Sequence, residues 1–249
     1  MNAAAISIQD LGHSYSDGRI SLSGLDLDIP EGTRLGIVGA NGAGKTTLLL
    51  CLAGVLKATG KILIGQREVD PSGPGQSDIM VGLVFQDPRD QLFCTTVFED
   101  VAFGPRNLGF SEEDVQRLAK ESIGMVGLSG ALDRPSHNLS YGEQKRAALA
   151  SVLAMRLPVL ALDEPSAFLD PRSRRELISL IGTLEGTIVI ASHDLDFVLE
   201  TCSRTVILEE GRLVADGLTS RLLADEVLLE RHRLELPLSL RGSEPPTNA

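Results

Sequence analysis

The sequence predicts an α/β protein built on a parallel sheet, and three observations carry that prediction. Short apolar strands at 159–162, 187–191 and 205–208 alternate with helical runs at 172–184 and 195–201. Strands in such an alternation are covered by helices on both faces, which is why they read as continuous Val/Ile/Leu/Ala runs. Residues 6–64 are instead rich in strands: Ile6 and Ile8 alternate, and Leu22, Leu25, Leu27 and Ile29 follow at strand spacing. Third, the segment Gly39-Ala40-Asn41-Gly42-Ala43-Gly44-Lys45-Thr46 fits G-x-x-x-x-G-K-[ST] at every fixed position. It lies between a short apolar strand at 35–38 and a helical run at 45–56, the setting that gives the motif meaning.

The remaining elements follow in order. A strand-type stretch at 62–64 closes the first part, and residues 70–77 (DPSGPGQS) read as a turn-rich loop. Residues 81–85 form a buried strand by their apolar, β-branched content. Beyond it the character turns helical. Ser111 followed by Glu112, Glu113 and Asp114 is an N-cap with an acidic first turn, leading to Val115, Leu118 and Ile123 at helical spacing. A second helix spans 142–156, with Ala147, Leu149, Ala150, Leu153 and Ala154 on its apolar side. The expected organisation is one domain. Its α/β core comprises about 5–89 and 158–218, a helical insert occupies about 90–157, and about 219–249 forms a C-terminal helix and a loose tail.

Composition narrows the class. The chain has 249 residues, 43% of them hydrophobic, enough for a sizeable core. A net charge of −11 argues against nucleic acid as the main partner, since phosphate backbones demand a basic face. The longest apolar run, 48–56, contains a glycine and is too short to span a bilayer, and no signal peptide is evident. Cys51, Cys94 and Cys202 are odd in number and far apart, as expected of a reduced cytosolic protein. The four histidines show no metal-ligand spacing.

The motifs specify chemistry. In the glycine-rich loop, successive backbone N–H groups can turn inward around phosphate oxygens at the positive end of a helix. Lys45 would reach the β- and γ-phosphates and the Thr46 hydroxyl would hold Mg²⁺, with Thr47 completing the loop. The strand at 159–162 runs into Asp163 and Glu164. A carboxylate leaving a buried strand beside such a loop can fix Mg²⁺, and the next one can polarise an attacking water as general base. Ser140, Tyr141, Gly142, Glu143 and Gln144 open the helix at 142–156, so Ser140 and the nearby N–H groups form an anion site at a helix N-terminus. Capping alone would explain Ser140 and Glu143.

Together these segments resemble the ATP-binding cassette (ABC) ATPases, in which such a signature sequence lies just upstream of the two-carboxylate strand. The resemblance covers about 5–218 with all motifs in order. It implies the P-loop NTPase ABC fold: a RecA-like parallel core, N-terminal antiparallel strands and a helical subdomain. It implies that Gln86 is the Q-loop glutamine reaching Mg²⁺, His193 the switch histidine at the γ-phosphate, Asp170 the D-loop residue at a subunit interface, and Tyr15 the aromatic on adenine. Tyr141 and Glu143 depart from the common signature, and Phe168 from the common D-loop. The run from Phe85 to Phe93 and from Thr95 to Pro105 resembles the ATPases of energy-coupling factor transporters, most of all the cobalt/nickel subunits. That likeness implies ATP and Mg²⁺ as cofactors and a homodimer, or a heterodimer with a related ATPase. It further implies membrane scaffold and substrate-binding partners, a site at the cytoplasmic face of the membrane, and uptake of cobalt or nickel. The alternatives it leaves are the ATPase of another energy-coupling factor or ABC transporter, for biotin or another vitamin, and a soluble non-transport role.

Overall fold

The computed structural model describes residues 4–69 and 79–241. The turn-rich reading of 70–77 and the end of the expected tail, 242–249, lie outside the described residues. The N-terminal strands form one antiparallel sheet. In it β1 (Ala4–Ser14) pairs with β2 (Ile20–Pro30) on one side and β4 (Thr59–Ile64) on the other, and β5 (Arg67–Glu68) extends β4. Its alternation is one-sided. Ile6, Ile8, Leu22, Leu25, Leu27 and Ile29 are buried while residues between them reach solvent, as a sheet with one wet face requires.

The second sheet has the order β10-β9-β3-β8-β7-β6. It contains β3 (Arg34–Val38), β6 (Val81–Val84), β7 (Val159–Asp163), β8 (Thr187–Ala191), β9 (Arg204–Glu209) and β10 (Arg212–Leu218). All run parallel except β10, which returns antiparallel to β9. Successive residues of β7 serve different cores. Val159 and Ala161 pack with the antiparallel sheet and with α1 (Lys45–Leu52), whereas Leu160 and Leu162 pack under the outer helices. In β8, Val189 and Ala191 face the first core, Ile188 and Ile190 the second. Two apolar faces explain the unbroken apolar spelling of both strands.

Residues 97–153 hold three helices with a core of their own: α2 (Val97–Asn107), α3 (Glu112–Met125) and α4 (Tyr141–Leu153). Ala147 and Ala150 of α4 belong to that core, while Ala148, Leu149 and Val152 pack on the parallel sheet. The helix is thus shared between the two cores. The outer face of the sheet also carries α5 (Pro171–Thr183), α6 (Leu195–Thr201), and the short α7 (Thr219–Leu222) and α8 (Glu226–Arg231).

Helix boundaries differ from expectation for local reasons, among them α4, expected to reach 156, which stops at Leu153 ahead of Arg156 at a left-handed φ of 54°. The helix expected at 45–56 stops at Leu52, where Gly54 takes a left-handed φ of 70°. Pro171 opens α5 one residue early because Asp170 caps it and proline suits the first helical position. Tyr141 likewise opens α4 directly after its Ser140 cap.

Candidate active site

The strand order assembles the site. Neighbouring parallel strands β3, β8, β7 and β6 end on one edge of the sheet, where open α/β sheets bind ligands. From that edge emerge the 39–46 loop after β3, Ser192 and His193 after β8, Asp163 and Glu164 at the end of β7, and Gln86 after β6. Segments far apart in the sequence meet there.

The 39–46 loop is shaped by close approach. A Cβ on Gly39 would lie 2.2 Å from the Leu208 carbonyl oxygen. One on Gly44, whose φ is 107°, would lie 2.7 Å from that of Ser21. Lys45 is 7% exposed, and its Nζ donates to the Gly39 oxygen at 2.8 Å and the Ala40 oxygen at 3.3 Å. Burial pushes this ammonium below the usual lysine range, opposed by the nearby Glu164 and Asp163 charges. A cavity of about 240 Å³ opens over the loop, bounded by Tyr15, Arg19, Asn41, Gly42, Lys45, Thr46, Gln86 and Glu164 among others.

Asp163 is 4% exposed. Its Oδ2 accepts from Thr46 Oγ1 at 2.9 Å, while its buried Oδ1 has no protein partner among the described residues. Burial raises its pKa; the bond from Thr46 works against that. An unpartnered carboxylate oxygen beside a hydroxyl, with the Gln86 amide near the same opening, is a hard oxygen-donor set that fits Mg²⁺.

Glu164 is 6% exposed and adopts a left-handed φ of 44°. Its Oε2 accepts from Ser192 Oγ (3.2 Å), the His193 amide (3.2 Å) and lies 2.8 Å from His193 Nδ1. Its Oε1 lies 3.9 Å from Lys45 Nζ. The carboxylate therefore points toward Lys45 of the 39–46 loop and is braced by the imidazole.

Tyr15 stands at the cavity rim with its hydroxyl 2.9 Å from Thr47 Oγ1, and the Arg19 guanidinium covers its ring at 4.8 Å. Exposed Gln86 joins this cavity to a second hollow of about 580 Å³ bounded by Thr46, Asp163, Tyr141 and Phe168. Of the residues opening α4, only Tyr141 borders that hollow, its hydroxyl donating to the Gln86 oxygen at 3.4 Å. Ser140 and Glu143 form a capping box, and Gly142 packs so closely on α5 that a Cβ would lie 2.7 Å from Ser173 Oγ. Gln144 donates its amide to the Ser136 and Leu139 oxygens, which ties it into the helix start. Ser140, Gly142, Glu143 and Gln144 border neither hollow. Asp170 caps α5 through the Arg172 and Ser173 amides and accepts from Ser173 Oγ at 2.6 Å.

Sequence reasoning missed Lys145, Ser192 and Arg19. Lys145 is 3% exposed and donates to the Glu164 oxygen at 2.8 Å, and burial pushes its ammonium down to about 8. The available signal was its place four residues after Tyr141, hence on the same helix face.

A family model described as ABC transporter matches residues 22–167, more than half of the chain. The chain belongs to the ABC transporter ATPase family. A Gloeobacter violaceus protein, named provisionally as an ABC transporter ATP-binding protein, is 52% identical over 94% of this chain and 97% of its own length. An energy-coupling factor transporter ATP-binding protein of Carboxydothermus hydrogenoformans is 42% identical over 95% of this chain and 89% of its own. Among solved structures, cbiO1 of Clostridium perfringens, described as part of the ABC transporter complex cbiONQ, superposes with a TM-score of 0.79. It is 34% identical, covering 92% of this chain and 94% of its own. ABC ATPases of this family bind and hydrolyse ATP, and this chain is such an ATPase subunit. Its fold is the expected one, an antiparallel sheet against a parallel P-loop core.

Proposed function

We propose that this ABC ATPase powers an importer of the energy-coupling factor type, with two copies closing over two ATP molecules. In each site Tyr15 stacks on adenine, residues 39–47 wrap the phosphates, and Ser140 and Gly142 of the other copy complete the γ-phosphate contacts. Thr46, Asp163 and Gln86 would hold Mg²⁺, which neutralises phosphate charge when bound. Glu164 accepts a proton from water as the water oxygen bonds to the γ-phosphorus. The bond to the β,γ-bridging oxygen breaks, and ADP leaves with the electron pair. His193 keeps the carboxylate aimed, so the rate gain comes from positioning and electrostatics. The observation that carries the reading is the Glu164–His193 pair held beside Lys45, next to the unpartnered Asp163 oxygen.

Two features support the transporter class. The relatives named above include an energy-coupling factor ATPase and a cbiO1 protein. Beyond Gln86, Phe93 and Phe103 pack edge to face at 4.9 Å while remaining 66% and 46% exposed, an apolar step suited to an incoming helix of a membrane partner. The chain then works at the cytoplasmic face of the membrane, and the cargo, cobalt or nickel ion, is bound by the membrane subunits. Glu164→Gln is expected to bind ATP normally and to lose turnover; undiminished hydrolysis would remove the base from the scheme. In cells carrying the transporter, the same variant should abolish accumulation of radioactive cobalt or nickel. Loss of vitamin uptake with metal uptake intact would assign the other cargo.

A further inference from the structure

We infer that Lys145 is a positioning residue for Glu164: from helix α4 it holds the peptide group that carries the proposed base. Glu164 sits in a left-handed conformation, which a residue with a Cβ keeps only where its surroundings over-determine it. Its N–H donates to the Ala191 oxygen at 2.9 Å, and its C=O accepts from Lys145 Nζ at 2.8 Å and from the Ala167 amide at 3.1 Å. The carboxylate end is held separately by Ser192 and His193. Ala167 belongs to the same turn as Glu164, and the remaining anchors except Lys145 come from β8 and the residues after it. Lys145 alone among them belongs to the helix that Ser140 caps, four positions beyond Tyr141, whose ring lies 5.9 Å from the ammonium. A shift of α4 when the second copy engages its first turn therefore reaches the Glu164 main chain through one hydrogen bond.

Packing does not account for a lysine here. Burying an ammonium is unfavourable, and a methionine has nearly the same stem and no charge to desolvate. The inference rests on Glu164 acting as the base, and its test separates the two. Lys145→Met should stay folded at the assay temperature and keep its KM for ATP. Its kcat should fall about tenfold to hundredfold, the effect of misplacing a reacting group by an ångström or less. Lys145→Gln, which keeps a donor on a shorter stem, should lie between the two. Placed on a Glu164→Gln background, Lys145→Met should leave ATP-dependent dimerisation intact. A Lys145→Met enzyme with wild-type kcat overturns the inference, as does a kcat loss matched by an equally weakened binding of ATP. If Glu164→Gln is inactive while Lys145→Met is not, only this inference fails. If Glu164→Gln itself turns over, the fault lies with the assigned base.

Discussion

Asp163 accepts from Thr46 at one carboxylate oxygen and buries the other without a partner among the described residues, an arrangement that costs about 1–3 kcal/mol when no cation offsets it. A cation at that oxygen removes the cost. Asp163→Asn is therefore expected to leave the nucleotide-free protein as stable as wild type or slightly more so, while Mg²⁺-dependent hydrolysis drops about hundredfold or more. Thermal melting and an ATPase assay titrated with Mg²⁺ read the two effects, and unchanged Mg²⁺ dependence contradicts the assignment. Lys45 makes the complementary case. Its ammonium spans the Gly39 and Ala40 oxygens across the mouth of the loop, ready to exchange carbonyls for phosphate. Charge-assisted bonds of that kind are worth about 1.5–3 kcal/mol, so Lys45→Ala should weaken ATP binding about tenfold to hundredfold by calorimetry. Equal affinity in the variant breaks the cradle argument. These residues were legible in the sequence because phosphate chemistry fixes residue type at fixed spacing. Lys145, Ser192 and Arg19 were not, since their places beside the site depend on helix rotation and strand register that no local spelling records.

The elements that read clearly were those with two apolar faces or a capped start. β7 and β8 spell their burial outright, and Ser111 accepts from the Asp114 amide at 3.2 Å as its spacing implied. α2 was hidden by Pro105, which lies in its last turn, although Thr96 caps Glu99 and Val97, Val101 and Ala102 share its buried face. β10 was hidden because only alternate residues are covered and Asp216 and Gly217 interrupt its apolar pattern. The C-terminal strap, residues 232–241, was expected as the end of a helix running into a loose tail, not as a pinned turn. Its turn, Leu238–Leu240, is pinned by Asp196 of α6, whose two oxygens accept from the Leu238 and Ser239 amides at 2.8 and 3.0 Å. Partial burial would raise that carboxyl, but the bonds to Ser239 and Leu238 prevail and hold it below its ordinary 3.8. A carboxylate depressed on folding contributes stability that is full above the ordinary value and lost as pH falls through the lower, folded one. The strap should therefore stay protected until the pH drops below about 3.8 and then open. Asp196→Asn should open it at neutral pH, seen as faster amide exchange at Leu238 and Ser239 with a global loss of about 1 kcal/mol or less. Unchanged exchange at both amides would show the strap to be held elsewhere.

For the whole molecule, the decisive geometry is that Ser140 and Gly142 do not border the cavity of their own chain, whereas Lys45, Asp163 and Glu164 line or adjoin it. A site completed by a second copy then has parts on two chains, and parts on two chains can be complemented. Let one chain carry Lys45→Ala and the other Ser140→Arg. Each homodimer lacks one half of both its sites. In the mixed dimer, one site combines both defects, while the other joins an intact phosphate loop to an intact helix cap. If the sites act independently and chains mix at random, half the dimers carry one working site of two, so the mixture should recover about one quarter of wild-type ATPase activity. A site built within a single chain predicts no recovery at all, because every chain then bears one lesion. Net charge sharpens the readout: two bodies of −11 repel, so assembly with ATP should strengthen as salt rises from low ionic strength. Recovery that appears only on mixing, and grows with salt over that range, would tie turnover to a pocket shared between two copies.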